Sequence, residues 1–247
     1  MAYLNVLKTK KGLKEYIAKA PKLEEDWGYT EKPFITTDVA VKYLIYLLEE
    51  KSDSKNQYAM TSSITTDPRT PENTIEVQAR LLVEAYLQIL EKENMKGIYT
   101  VLNASDGKTT MNHQNWLCLD IKNKKLIRFE PSSDYEEFQT RRFCELVIQL
   151  LNSHGYEFKY SIADKGQVIN SFMGCRAMST MLASMYIMDI PLTNTSILRK
   201  KSGKGDIKLL QPFVYLMQEE ISSCRTGIKL SRPSRRNKLP FITIGKV

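Results

Sequence analysis

Apolar residues recur every three or four positions along four stretches of the chain, and each stretch predicts a helix with one buried side. Val41, Leu44, Ile45 and Leu48 mark an amphipathic helix over 38–50, capped by Thr37. Thr70-Pro71-Glu72 places proline at a first helical position. Val77, Leu81, Val83, Leu87 and Leu90 then predict a helix running to about Asn94, closed by Gly97. Phe138, Phe143, Leu146, Val147, Leu150 and Leu151 predict a third helix, from Asp134 to His154-Gly155. The fourth differs in kind. Ala177, Met178, Met181, Leu182, Met185 and Tyr186 are small or apolar almost all round, which predicts a buried helix, stopped at Pro191, with Cys175 on its first turn. Two further helices are expected at 12–19, ended by Pro21, and at 206–222.

Between helices the period shortens. Residues 98–102, 116–121, 126–129 and 156–162 read as strands, the middle two joined as a hairpin by Lys122-Asn123-Lys124. Residues 22–34, 58–70, 103–112 and 192–205 read as irregular or polar connections, with a turn at Asp106-Gly107. Helices before and after a small sheet, without regular βαβ alternation, predict an α+β fold: a small mixed or antiparallel sheet flanked by helices, with Cys175 at the N-terminus of a central buried helix. One catalytic domain is expected over 1–224, with 1–33 as an N-terminal arm and 225–247 as a basic C-terminal tail.

Composition narrows the classes. With 247 residues and 42% hydrophobic content the chain can bury a full core. Four scattered cysteines, Cys118, Cys144, Cys175 and Cys224, without CxxC spacing, argue against a disulfide framework or a zinc ribbon and for reduced thiols. No apolar run suits a signal peptide or a membrane span, so a soluble, intracellular monomer is expected, in host cytoplasm or a virion if the chain is viral. The net charge is +8, with the excess towards the C-terminus. Arg225, Lys229, Arg232, Arg235, Arg236 and Lys238 could attract nucleic acid or acidic lipid, but no aromatics interleave them for base stacking.

Candidate chemistry centres on the thiol. A cysteine on a first helical turn sees the positive end of the helix dipole, which favours the thiolate. It needs a base, and the base needs an orienting group. The chain has two histidines. His154 ends a helix, where imidazoles commonly cap the last carbonyls. His113 begins one strand of the predicted hairpin and Glu130 ends the other, so both can meet at one end of the sheet. Cys118, Cys144 and the methionines at 178, 181, 185 and 188 read as core.

The order His113, Asp120, Glu130, Gln167, Cys175 resembles the papain-like cysteine peptidases of the adenain and SUMO-protease group, clan CE. The phrase Arg128-Phe129-Glu130-Pro131 is especially similar to adenain, and Gln167, Asn170 and Ser171 resemble the family's loop ahead of the nucleophile. The resemblance implies a cofactor-free thiol protease with a Cys175–His113–Glu130 triad. Gln167 would help form the oxyanion hole, with Asn170 as the other candidate. The substrate would be a polypeptide, either a viral precursor or a ubiquitin-like modifier. In that family tryptophan follows the histidine and glycine follows the cysteine; here Gln114 and Arg176 stand at those places. Two other readings use the same residues. Yop-type effector acetyltransferases share the His–Glu–Cys order and take acetyl-CoA, with an inositol polyphosphate that the basic clusters at 199–204 and 232–236 could bind. An inactive relative could instead bind nucleic acid or a protein partner.

Overall fold

Alternation along one strand defines the two sides of the molecule. In β4 (Asn112–Asp120), Trp116 and Cys118 enter one hydrophobic cluster while Leu117 and Leu119 enter another, as the two-residue period of a pleated strand requires. The computed structural model describes residues 2–19, 36–108, 112–130, 139–163, 175–198 and 239–245.

β4 pairs antiparallel with β3 (Met95–Ser105) and with β5 (Lys125–Phe129), and β6 (Lys159–Ala163) runs parallel beside β5. On the other side of β3 lie β1 (Gln57–Thr61) and β2 (Ile64–Thr66), both parallel to it, and β7 (Phe241–Ile244) pairs antiparallel with β1. The result is a mixed, seven-stranded sheet among the described residues. Helices α3 (Thr37–Lys51) and α6 (Cys175–Ile187) cover one face through Leu44, Leu48, Met178, Met181, Leu182 and Met185; Leu7 of α1 (Ala2–Leu7) and Leu13 of α2 (Lys10–Lys19) join the same cluster. Helices α4 (Ile75–Leu90) and α5 (Thr140–Ser153) cover the other face through Leu82, Tyr86, Ile89, Phe143, Val147 and Leu151. This is the α+β class expected from the sequence, a mixed sheet between helical layers.

Several local expectations are corrected. The segment 58–70, expected to be irregular, supplies β1 and β2. The Thr61 hydroxyl is satisfied inside the sheet, sharing a 2.8 Å hydrogen bond with Thr100, so polarity there did not mean exposure. Pro71 opens only a 3₁₀ turn, Pro71–Asn73, and Thr74 caps α4 through its hydroxyl to the Val77 N–H. The buried stripe of α4 therefore turns away from Val77, which is 40% exposed. Gly97 closes no helix; it lies within β3, where an added Cβ would sit 3.5 Å from the Tyr99 ring and 3.6 Å from Cys118 Sγ. Thr36, not Thr37, caps α3. A 3₁₀ segment, Leu192–Leu198, follows α6, and Phe241–Ile244, within the stretch read as basic tail, is a sheet strand. The expected helix at 206–222, Cys224 and residues 225–238 lie outside the described residues.

Candidate active site

α6 is docked against β4 by polar contacts as well as by its methionines. The Trp116 backbone N–H donates to Ser179 Oγ at 2.6 Å, and Trp116 Nε1 donates to Thr180 Oγ1 at 3.0 Å. Both hydroxyls are fully buried, so these bonds fix where along β4 the helix begins. Its first residue, Cys175, is consequently brought beside His113, near the start of β4.

His113 is 1% exposed and Glu130 4%. His113 Nε2 lies 2.9 Å from each Glu130 carboxylate oxygen. That commits Nε2–H to the carboxylate and leaves Nδ1 to serve the thiol, with which the ring is hydrogen-bonded. The hairpin does this by register: Trp116 pairs with Phe129, so the strand-start histidine and the residue just past β5 meet at the same end. Two same-face neighbours complete the carboxylate's surroundings. Asn115, oriented so that its donors face acceptors, gives Nδ2–H to Glu130 Oε2 at 2.9 Å. Arg128, wholly buried, holds Nη1 3.9 Å from the same oxygen, donates to Thr140 Oγ1, and stacks its guanidinium 5.9 Å from the Tyr160 ring centre.

The electrostatics separate Cys175 from the other thiols. Burial pushes Cys118 far above the usual thiol range and Cys144 up to about 12. Cys175 is almost as buried, at 8% exposure. Burial again raises its pKa, but the hydrogen bond and charge of His113, the backbone N–H of Gln114 and the charge of Arg176 outweigh that effect, leaving the thiol below its usual value. The imidazole moves the other way, to about 9. Burial opposes its charged form, and Cys175 and Glu130 on either side of the ring more than compensate. The pair therefore favours thiolate and imidazolium, the reactive state of a cysteine nucleophile.

The structure thus brings together three of the four residues proposed from the sequence, His113, Glu130 and Cys175. Gln167, Asn170 and Ser171 lie outside the described residues. Asp120 is at the far end of β4, accepting from Tyr186 Oη and Asn123. His154 caps the end of α5, its N–H bonded to Leu151 O at 3.0 Å. Gln114, Asn115 and Arg128 were not singled out as site residues. The signal for two of them was available: 115 shares a strand face with 113, and 128 with 130. Among the described residues no group of three His, Cys, Asp or Glu side chains could hold a metal ion, and no helix is long and apolar enough to cross a membrane.

No protein-family model and no curated protein sequence matches the chain. It is similar to solved structures. One is the C-terminal Ulp1 protease domain in complex with Smt3, the yeast ortholog of SUMO: 11% identity, TM-score 0.43, covering 85% of this chain and 94% of that one. Another is ChlaDub1 from Chlamydia trachomatis: 14% identity, TM-score 0.49, covering 82% and 97%. A third is the ASFV pS273R protease: 13% identity, TM-score 0.45, covering 76% and 69%. These are likenesses of fold.

Proposed function

We propose that the chain is a cysteine peptidase acting on polypeptides through Cys175, His113 and Glu130. The observation that carries this is the buried relay itself: a carboxylate on one side of an imidazole, a helix-start thiol on the other, and only that thiol lowered among three buried ones. The Cys175 thiolate attacks the scissile carbonyl carbon. The developing oxyanion meets the backbone N–H groups of the first turn of α6, which have no partner within the helix, and the Gln167 carboxamide is the second donor that the motif order suggests; one such donor is worth about 10²–10³ in rate. His113 Nδ1–H passes its proton to the leaving amine, and the neutral ring then draws a proton from the water that hydrolyses the thioester. Glu130 fixes the ring through Nε2 and stabilises its charged state.

The substrates to try first are a ubiquitin-like modifier and a viral precursor protein, the two classes that the motif order resembles. The full chain is incubated with ubiquitin-like proteins carrying a C-terminal electrophile and with a set of precursor polypeptides. Covalent capture or cleavage that disappears in Cys175→Ala supports the reading. Transfer of label from acetyl-CoA to protein, dependent on inositol hexakisphosphate and unaccompanied by hydrolysis, would replace it with acetyl transfer. Salt-sensitive DNA retention that survives Cys175→Ala, with no capture or cleavage, would replace it with a binding role.

A further inference from the structure

Directly after His113 stands a carboxamide with half of its hydrogen bonding unused. Gln114 is 1% exposed. Its Oε1 accepts from Thr37 Oγ1 at 3.2 Å and from Arg176 Nε. Two donors on the oxygen settle which end of the amide is which, so the other end is NH₂. That Nε2 is buried and has no hydrogen-bond partner among the described residues. A buried amide donor left unmade is costly, and folded proteins leave few of them.

Its location gives the vacancy a meaning. The Gln114 backbone N–H is bonded to Cys175, and Arg176, which grips its side chain, is the residue after the nucleophile. Thr37 brings the first turn of α3 to the same point. The carboxamide therefore lies where β4, α3 and α6 converge, its oxygen held by the residue after Cys175. A donor held there by its own oxygen is pre-positioned for an acceptor that arrives with the substrate.

We propose that Gln114 is a substrate-binding residue: its Nε2–H donates to a backbone carbonyl oxygen of the bound polypeptide, next to the scissile bond, and so aligns the acyl group on Cys175. This rests on the peptidase reading and adds the class of group recognised. The acceptor is neutral and peptidic; an apolar side chain at that point would leave the donor buried and unpaired. The same geometry accounts for why Gln114 and Arg176 occur together, since the guanidinium Nε–H locks the carboxamide in the orientation that presents NH₂. The hydrogen bond forms in the ground state, so its loss falls on KM.

The test uses two reagents on the full chain. Methyl methanethiosulfonate, which carries no carbonyl, reports the state of the Cys175 thiolate, followed at that residue by mass spectrometry. The p-nitrophenyl ester of an N-acylated dipeptide, which carries carbonyls besides the reacting one, reports acyl recognition. In Gln114→Leu kcat/KM for the ester falls about tenfold through KM, the worth of one hydrogen bond, and by more than the methanethiosulfonate rate at Cys175. Gln114→Glu keeps an oxygen for Thr37 and Arg176, replaces the donor by an acceptor and adds a charge beside Arg176, so the methanethiosulfonate rate at Cys175 is read alongside it. It gives the same fall in kcat/KM and stands in should the leucine variant not fold. Unchanged ester kinetics in both variants overturn the inference and leave the peptidase reading in place. So does a fall in kcat with KM unchanged, or a parallel loss of methanethiosulfonate reactivity, since either assigns the side chain another role. If wild type hydrolyses the ester no faster than Cys175→Ala, the peptidase reading itself fails.

Discussion

The two ends of β4 each bury a carboxylate, and they use it differently. At one end Asp120, 7% exposed, accepts from the Asn123 N–H at 2.9 Å, from Asn123 Nδ2 at 2.7 Å and from Tyr186 Oη. All its partners are neutral donors; they close the β4–β5 turn, where Lys124 takes a left-handed φ of 52°, and tie the end of α6 to it. A cleft of about 670 Å³ lies alongside. At the other end Glu130, 4% exposed, has an imidazole as its main partner, and that imidazole has a second partner in a thiol. Burial of an acid is common to both ends. What distinguishes the second is that the acid's partner is an imidazole bonded in turn to a thiol, whereas the other chain of bonds stops at a turn.

The contrast is broken most severely at the proposed nucleophile and base. Cys175→Ala and His113→Ala are each expected to reduce kcat/KM by at least about 10⁴-fold, with little further loss in the double variant because the two act as a unit; steady-state hydrolysis of a captured substrate measures this. Next, Glu130→Gln keeps the shape but not the charge and should cost about 10²–10⁴-fold in kcat. Asp120→Asn should leave kcat/KM of the folded protein unchanged and lower the unfolding free energy by about 1.5–3 kcal/mol, the range for hydrogen bonds to a charged group. Urea unfolding and kinetics on the two variants side by side decide whether the ends of the strand are as distinct as described.

The pH response is of intermediate size. The folded pKa of His113, about 9, lies above its ordinary 6.5. The stabilisation by the imidazolium is therefore complete below about 6.5 and is lost as pH rises through about 9. For Cys175 the shift is downward, so its contribution is present above the ordinary thiol value and is lost as pH falls through the lowered one. Hydrolysis should accordingly decline on the alkaline side near pH 9, where the leaving group loses its proton donor. At the docking contact, Trp116→Phe removes the buried hydrogen bond to Thr180 and leaves space beside the smaller ring, and should cost about 2–4 kcal/mol of stability.

The hairpin and α6 were legible because their signals are local. Alternation in 116–119 and the three-and-four spacing of Met178, Met181, Leu182 and Met185 survive in the structure unchanged. From these, together with the order of His113, Glu130 and Cys175, the proximity of the three side chains could be anticipated. The misreadings arose where tertiary partners override composition. β1 and β2 are polar in sequence because Thr61 and Thr100 satisfy each other across the sheet. β7 was hidden by the basic run before it, and it forms because β1 offers it an edge. The face of α4 was misjudged because Tyr86, whose hydroxyl shares a 2.9 Å hydrogen bond with Thr100, sets the rotation of the helix, and Val77 does not. The full burial of Arg128 was not legible, since nothing in its own sequence neighbourhood announces Thr140 and Tyr160 as partners.

The central claim is that His113 and Cys175 form one ionised pair. It is tested most directly by the pH dependence of iodoacetamide alkylation at Cys175, followed by mass spectrometry in wild type and in His113→Ala. The predicted result is a wild-type profile with its midpoint below that of an ordinary thiol, moving to higher pH when the imidazole is removed. Superimposable profiles for the two proteins would contradict it.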